Sequence, residues 1–262
     1  MSEMVEEMQD VHVPESHVAM LTTARERLRR RINPLVWSPL NAAFEIVDRG
    51  AGVVRYTPQR LRVAIVCGAT TRFLAPVDDP TWDVWGLNLL GPRDREGRVR
   101  ADRWFEIHPF RAQSESDLIF IAGIQRPNYT IDWELLPNPF AVAFPLRAIL
   151  EAGFRDYFAC SMAYQIAMAL SEGYEEIGLY GLELLIGDGR ERSFEAACVS
   201  WWIGFAEGRG VKVTVPTMLG ALRQHPFRYG YDYEQEAVTV MSSVTTSSII
   251  DQQYQRNRVK VG

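Results

Sequence analysis

The stretch from Phe158 to Glu183, FACSMAYQIAMALSEGYEEIGLYGLE, gathers several groups able to do chemistry into one short unit. Cys160 and Ser161 open a run of small residues with helical character, Gly173 ends it, and a short apolar strand stops at Gly181. A hydroxyl beside the free N–H groups of a helix N-terminus suits an anion such as a phosphate. Ordinary capping by Ser161 is the plainer use of the same residue. Glu183 follows at the carboxyl end of the strand, where open α/β sheets bind ligands. A carboxylate there can accept two ribose hydroxyls or take a proton as general base. Cys160 has no Cys-His-Asn signature around it and is a poor candidate for a nucleophile.

Four further groups sit at ends of apolar segments. Cys67-Gly-Ala-Thr-Thr71 follows the run Leu61–Cys67, and Gly68 and Thr70 in it would let backbone N–H groups approach a phosphate. The alternative is a tight βα turn. The spacing is neither GxGxxG nor GxxxxGK[ST], so a standard NAD or ATP site is not expected. Asn88 ends Asp83-Val-Trp-Gly-Leu-Asn88, and its amide offers a donor and an acceptor to a base, ribose or carbonyl, though asparagine is also a common turn residue. His108 ends Arg103-Trp-Phe-Glu-Ile-His108 and is either a general base or a structural histidine; Glu106 shares its side-chain parity. His12, His17 and His225 fall outside the expected sheet. Glu195 is the second candidate base; with Glu191, Arg190 and Arg192 it reads equally as a solvated helix face. No HExxH, paired Cys/His set or EF-hand loop is present, so no metal is expected.

These residues need a scaffold, and the hydropathy pattern supplies one. Strands are predicted at Leu61–Cys67, Asp83–Asn88, Arg103–His108, Asp117–Ala122, Ala141–Phe144, Glu176–Tyr180 and Val211–Val215. Helices are predicted at Pro145–Gly153, Ser161–Glu172 and Phe194–Glu207. Strands alternating with helices mean βαβ units, so the fold class is α/β, a Rossmann-like mostly parallel sheet flanked by helices, with N- and C-terminal extensions. Residues 1–60 form the N-terminal extension: a disordered acidic start, a helix over His17–Ile32, and an irregular or helical lead-in. Residues 61–220 form the nucleotide-binding core, and 221–262 a polar tail that packs on it or is partly mobile.

Composition narrows the class. The chain has 262 residues, 47% hydrophobic and 23% charged, with a net charge of −5. That balance argues against a protein that coats nucleic acid, although Arg25–Arg31 form a dense basic cluster. The cluster is either a solvated helix face or a contact for phosphates of DNA or substrate. No apolar run of membrane-spanning length and no secretory leader are read, and the three cysteines have no CxxC spacing. A cytoplasmic, reducing location follows as the expectation.

Taken in order, the Gly68 loop, VWGLN, RWFEIH, SMAYQIAMALSEGYEEIGLYGLEL and GRGVKV resemble a group of Rossmann-like proteins of phages and prophages. The layout is more distantly similar to CMP-sialic-acid-dependent bacterial sialyltransferases, whose helix start is followed by ALGYKEIYLSGIDF. The resemblance covers about residues 61–216. It implies that Asn88, Ser161, Gly181 and Glu183 contact a nucleotide, and it places His108 where the transferases have another nucleotide-contacting Asn. The Gly-x-Gly-Pro-Ser loop of that family is CGATT here, its Asp is Glu183, and its catalytic His has no counterpart in GDGRERSFEAA. The expected function is a glycosyltransferase-like group transfer from a nucleotide-sugar donor to a glycan or a modified DNA base, in the host cytoplasm if phage-encoded. The alternatives are a non-catalytic nucleotide-binding or sequestering module and an assembly protein that keeps the fold.

Overall fold

The first described element departs from expectation. Strand β1 (Ala43–Asp48) pairs antiparallel with β2 (Val53–Thr57), so the supposed irregular lead-in contains a β-hairpin. Its turn is made by Asp48, whose Oδ1 accepts the N–H groups of Gly50 (2.9 Å) and Ala51 (3.1 Å), an Asx-type turn. The computed structural model describes residues 43–57, 60–68, 70–88, 90, 101–182, 184, 189–216 and 231. The acidic start, the predicted helix at 17–32, the Arg25–Arg31 cluster and Glu183 lie outside the described residues. The chain divides into two units, Met1–Leu222 and Arg223–Gly262, and of the second only Tyr231 is described.

The main sheet has seven strands: β3 (Arg62–Val66), β4 (Asp83–Leu87), β5 (Arg103–Glu106), β6 (Asn128–Thr130), β7 (Ala141–Ala143), β8 (Glu176–Tyr180) and β9 (Lys212–Thr214). Their order is β7-β6-β5-β4-β3-β8-β9, and every pairing is parallel. Helices α1 (Glu115–Ala122), α2 (Leu146–Glu151), α3 (Ser161–Ser171) and α4 (Gly189–Gly208) connect them. The class is α/β with a Rossmann-like parallel sheet, as the alternation of elements implies.

A parallel sheet is covered on both faces, so its strands read as continuous apolar runs. Val63, Ile65, Trp85, Leu87, Phe105 and Tyr129 form one face and bury against Ala163, Ile166 and Ala167 of α3 and Cys198, Val199 and Trp202 of α4. Ala64, Val66, Val84 and Trp104 form the other, beneath Ala75, Trp82 and Leu90. Trp85, Trp104 and Trp202 are thus core residues.

Asp117–Ala122, expected as a strand, belongs to helix α1. Its apolar run suits a buried strand, but Ser114 caps it. Ser114 Oγ accepts the Asp117 N–H (3.2 Å), while the Asp117 carboxylate accepts the Ser114 N–H (3.3 Å). This reciprocal capping box satisfies two donors of a helix start. The strand that takes the place is β6, whose three residues Asn-Tyr-Thr carry almost no apolar signal yet are all buried.

Helix α3 stops where Gly173 is placed, at φ 82°. Tyr174 N–H bonds to Ala169 O (3.1 Å) and Gly173 N–H to Leu170 O (3.2 Å), a Schellman end that glycine enters without steric cost. The same bond pair ends α4, from Val211 to Ala206 O and from Gly210 to Glu207 O, so both helices deliver the chain directly into the next strand.

The amino end of the sheet is held by buried charge. Arg103 Nη1 donates to both carboxylate oxygens of Glu172, at 2.7 and 2.9 Å, and the guanidinium stands 5.1 Å from the Trp85 ring centroid. Tyr174 donates to Asp83 Oδ2 (2.5 Å), and Arg60 Nη1 reaches Asp83 at 3.0 Å and Asp102 at 3.4 Å. Glu176 on β8 accepts from Arg62 of β3 and Lys212 of β9, each at 2.7 Å. Burial opposes its charge, but the hydrogen bonds from the two cations prevail and hold the carboxyl below its usual range. A carboxyl depressed in the fold stabilises above its unfolded pKa of about 4.3 and loses that contribution as pH falls through the folded value. Glu176→Gln should therefore flatten the acid limb of the stability–pH curve. An acid limb identical to wild type would show that Glu176 does not contribute.

The outer edge of β7 is occupied by the hairpin turn. Arg49 donates from Nε to Ala141 O (2.7 Å) and from Nη2 to Asn138 O (3.0 Å), and its own carbonyl accepts the Ala143 N–H (2.7 Å).

Candidate functional site

The strand order identifies the edge that should bind a ligand. From β3 the chain moves outward through β4, β5, β6 and β7, then returns to β8 on the opposite side of β3. The direction of winding therefore reverses between β3 and β8, and in open α/β sheets the crevice lies outside the carboxyl ends at such a point. Cys67 N–H donates to Tyr180 O across the two strands (2.9 Å). Beyond them the loops join: Gly181, at φ 70°, donates its N–H to Thr71 Oγ1 (2.8 Å). The loop after β3 runs into one 3₁₀ turn, Thr70–Leu74. Arg72 Nη1 donates to Gly68 O (3.1 Å), which holds a guanidinium over this loop.

Asn88 stands just past the end of β4. Its backbone N–H donates to Phe105 O (3.3 Å), and its side-chain amide donates from Nδ2 to Ser161 Oγ (3.2 Å). Oδ1 is buried and has no partner among the described residues. Whichever way the amide is turned, Ser161 engages one end and the other end is left over. Asn88 also has φ 44°, left-handed, and Leu184 has φ 52°. Among the described residues these are the non-glycine positions of positive φ, and both follow carboxyl ends of strands of the main sheet. Strained backbone of this kind collects at ligand sites.

The start of α3 corrects one expectation. Cys160, extended at φ −161°, is the N-cap and makes no side-chain cap bond; Ser161 is the first helical residue, buried, with its hydroxyl on Asn88. One turn on, Gln165 is fully buried, and neither end of its amide has a partner among the described residues. Burial pushes the Cys160 thiol up to about 12, so it stays protonated at neutral pH and is no thiolate nucleophile. Glu195 of α4 is half-buried, and its charge adds to the rise of the Cys160 thiol.

His108 lies beyond β5, which stops at Glu106. His108 Nδ1 is 2.5 Å from Glu106 Oε1, and the same oxygen accepts from Gln113 Nε2 at 2.9 Å. The Glu106 side chain is 5% exposed and that of His108 51%. Glu106 shares parity with Trp104, on the sheet face opposite α3 and α4. The two candidate bases, His108 and Glu195, are thus carried by different layers.

The structure brings Asn88 to Ser161, Gly181 to Thr71, Gly68 to Arg72 and His108 to Glu106. Of Thr70 the backbone is described but not the side chain. Arg72, Gln113 and Gln165 do not stand out in the sequence. Arg72 adjoins the Gly68–Thr71 loop, whereas Gln165 on an apolar helix face is a buried-polar signal. No group of three or more His, Cys, Asp or Glu residues that could hold a metal ion occurs among the described residues. No helix among them is long and apolar enough to cross a membrane.

No protein-family model matches the chain, and no curated protein matches it in sequence. Two solved structures of the sialyltransferase CstII from Campylobacter jejuni do match in shape. The complex with the substrate analogue cytidine-5'-monophosphate is 15% identical, with a TM-score of 0.40, covering 62% of this chain and 81% of that one. The complex with CMP-3FNeuAc is 12% identical, with a TM-score of 0.38, covering 65% of this chain and 92% of that one. A likeness at this level assigns no activity to this chain.

Proposed function

We propose that the chain is a group transferase that binds a nucleotide-activated sugar along the carboxyl edge of its parallel sheet. The observation that carries this reading is Asn88: a left-handed, half-engaged amide at a strand end, against the first residue of a helix. A buried amide end without a partner is costly, and a base or ribose group would satisfy it. Donor phosphates would meet the free N–H groups at the start of α3 and the guanidinium of Arg72 by the Gly68 loop. Glu183, next after Leu182, would take ribose hydroxyls.

The chemistry then needs a base for an acceptor hydroxyl, on a glycan or a modified DNA base. His108 fills that role better than Glu195, since it is half-exposed and already paired with a carboxylate. The acceptor oxygen attacks the anomeric carbon as His108 takes its proton. The bond from that carbon to the phosphate oxygen breaks, and the nucleotide leaves with the electron pair.

A panel of nucleotides and nucleotide sugars tests the binding half by thermal melting. A ligand present at a hundredfold over its Kd stabilises by about 2.7 kcal/mol, a shift of several degrees for a chain of this size. A panel with neither a shift nor donor hydrolysis overturns the proposal. A shift without transfer to any glycan or DNA acceptor would favour the non-catalytic binding module.

A further inference from the structure

The connection after β5 is folded tightly back on the strand it leaves. Phe110 begins a 3₁₀ turn, Phe110–Ala112, and its N–H donates to Asp132 Oδ2 (2.7 Å), which pins the turn to the segment after β6. Gln113 closes the turn through its N–H to Phe110 O (3.0 Å), and Ser114 at once caps α1. This path returns the Gln113 side chain to Glu106, at 2.9 Å. Glu106 is the last residue of β5, and its side chain is nearly sealed from water. A buried carboxylate requires hydrogen-bond donors; Gln113 Nε2 is one, and His108 Nδ1 stands within hydrogen-bond distance of the same oxygen.

We infer that Glu106, steadied by Gln113, is a positioning residue that fixes His108 as the Nδ1–H tautomer. An ionised carboxylate only accepts, so the imidazole nitrogen facing it must carry the proton. In the neutral ring the lone pair then belongs to Nε2, the nitrogen away from Glu106. The arrangement turns a histidine at a strand end into an oriented base, by the logic that an aspartate applies in serine hydrolases. Gln113 donates to the oxygen that His108 uses, which limits the freedom of the carboxylate to rotate. The inference rests on the reading of His108 as the base, but the pairing itself can be examined without any substrate.

The experiment is nitrogen NMR of the full chain with labelled histidine, no donor present, and the signal of His108 assigned among the four histidines by His108→Gln. The wild-type spectrum should show Nδ1 protonated and Nε2 bare at neutral pH. In Glu106→Gln the amide can turn its NH₂ toward the ring, and the signal should move to the Nε2–H form. Where a transferase assay exists, the same variant should lose about 100-fold in kcat with KM little changed. An Nε2–H ring in the wild type overturns the inference, as does an imidazolium that persists at neutral pH as a simple counter-ion of Glu106. If the tautomer is as stated while no nucleotide binds, the transferase reading falls and the pairing stands. If nucleotides bind and the tautomer is otherwise, only the pairing falls. The wild-type spectrum decides the matter even if Glu106→Gln does not fold.

Discussion

Asn88→Gly is expected to abolish most of the nucleotide response while changing stability little, because relief of the left-handed backbone offsets the lost hydrogen bond to Ser161. At φ 44° a side chain other than glycine is strained, and the left-handed conformation costs roughly 1–2 kcal/mol for an ordinary L-residue. Glycine removes that strain and also the amide. The loss to the ligand is one hydrogen bond, about 0.5–1.5 kcal/mol net, plus about 1–3 kcal/mol if a ligand donor is left buried without a partner. Together these predict a rise in Kd of about 10- to 100-fold or more. Asn88→Ala should bind as poorly and melt earlier, because alanine keeps the strain. Titration of the three proteins with the best nucleotide of the panel separates the two effects. Wild-type affinity in Asn88→Gly would remove Asn88 from the site.

Glu172→Ala is expected to be the most damaging single change to the scaffold. It strips the buried Arg103 guanidinium of the carboxylate that takes two bonds from its Nη1. Removing one partner of a buried pair costs about 3–5 kcal/mol, and Glu172 is 29% exposed, which places this pair toward the lower figure. At roughly 2–4 °C per kcal/mol for a domain of this size, the melting temperature should drop by about 10 °C. The double variant Arg103→Met with Glu172→Leu should recover much of the loss, since an apolar pair of similar volume carries no buried charge. Both residues lie at the amino end of the sheet, so nucleotide affinity below the melting range should be unchanged. A fall of only a degree or two in Glu172→Ala would mean that the ion pair is not what holds this end.

How much of this was legible in the chain depends on where each signal came from. Strands β3, β4, β5 and β8 and helix α3 were legible because burial on two faces writes a continuous apolar run and Gly173 writes a stop. Helix α1 imitates a strand for the same reason: Leu118–Ala122 is as apolar as a core strand, and the decisive residues are the polar pair Ser114 and Asp117. The β1–β2 hairpin shows its alternation only when Asp48 is recognised as the turn. At the site, Asn88 and Ser161 were each legible as end-of-element residues. Their contact was not, because it joins positions 73 apart and depends on α3 crossing back over β4. The parity of Glu106 with His108 was visible, but the hydrogen bond also needs the folded-back turn that Asp132 pins. Arg72 and Gln165 carry no pattern of their own; only burial and neighbours single them out.

The hairpin turn against β7 has a consequence for how copies of the chain meet. An open strand offers its unused amide and carbonyl groups to any passing strand. On β7 the Ala143 amide and the Ala141 carbonyl are already consumed by Arg49. At the opposite margin, β9 has three residues and begins with the exposed Lys212, a length and a charge that discourage docking. Among the described residues, neither margin offers a long open strand from which the sheet could polymerise. A fragment that begins after residue 49 would carry the same seven strands with one margin unsealed, and should precipitate more readily than the full chain.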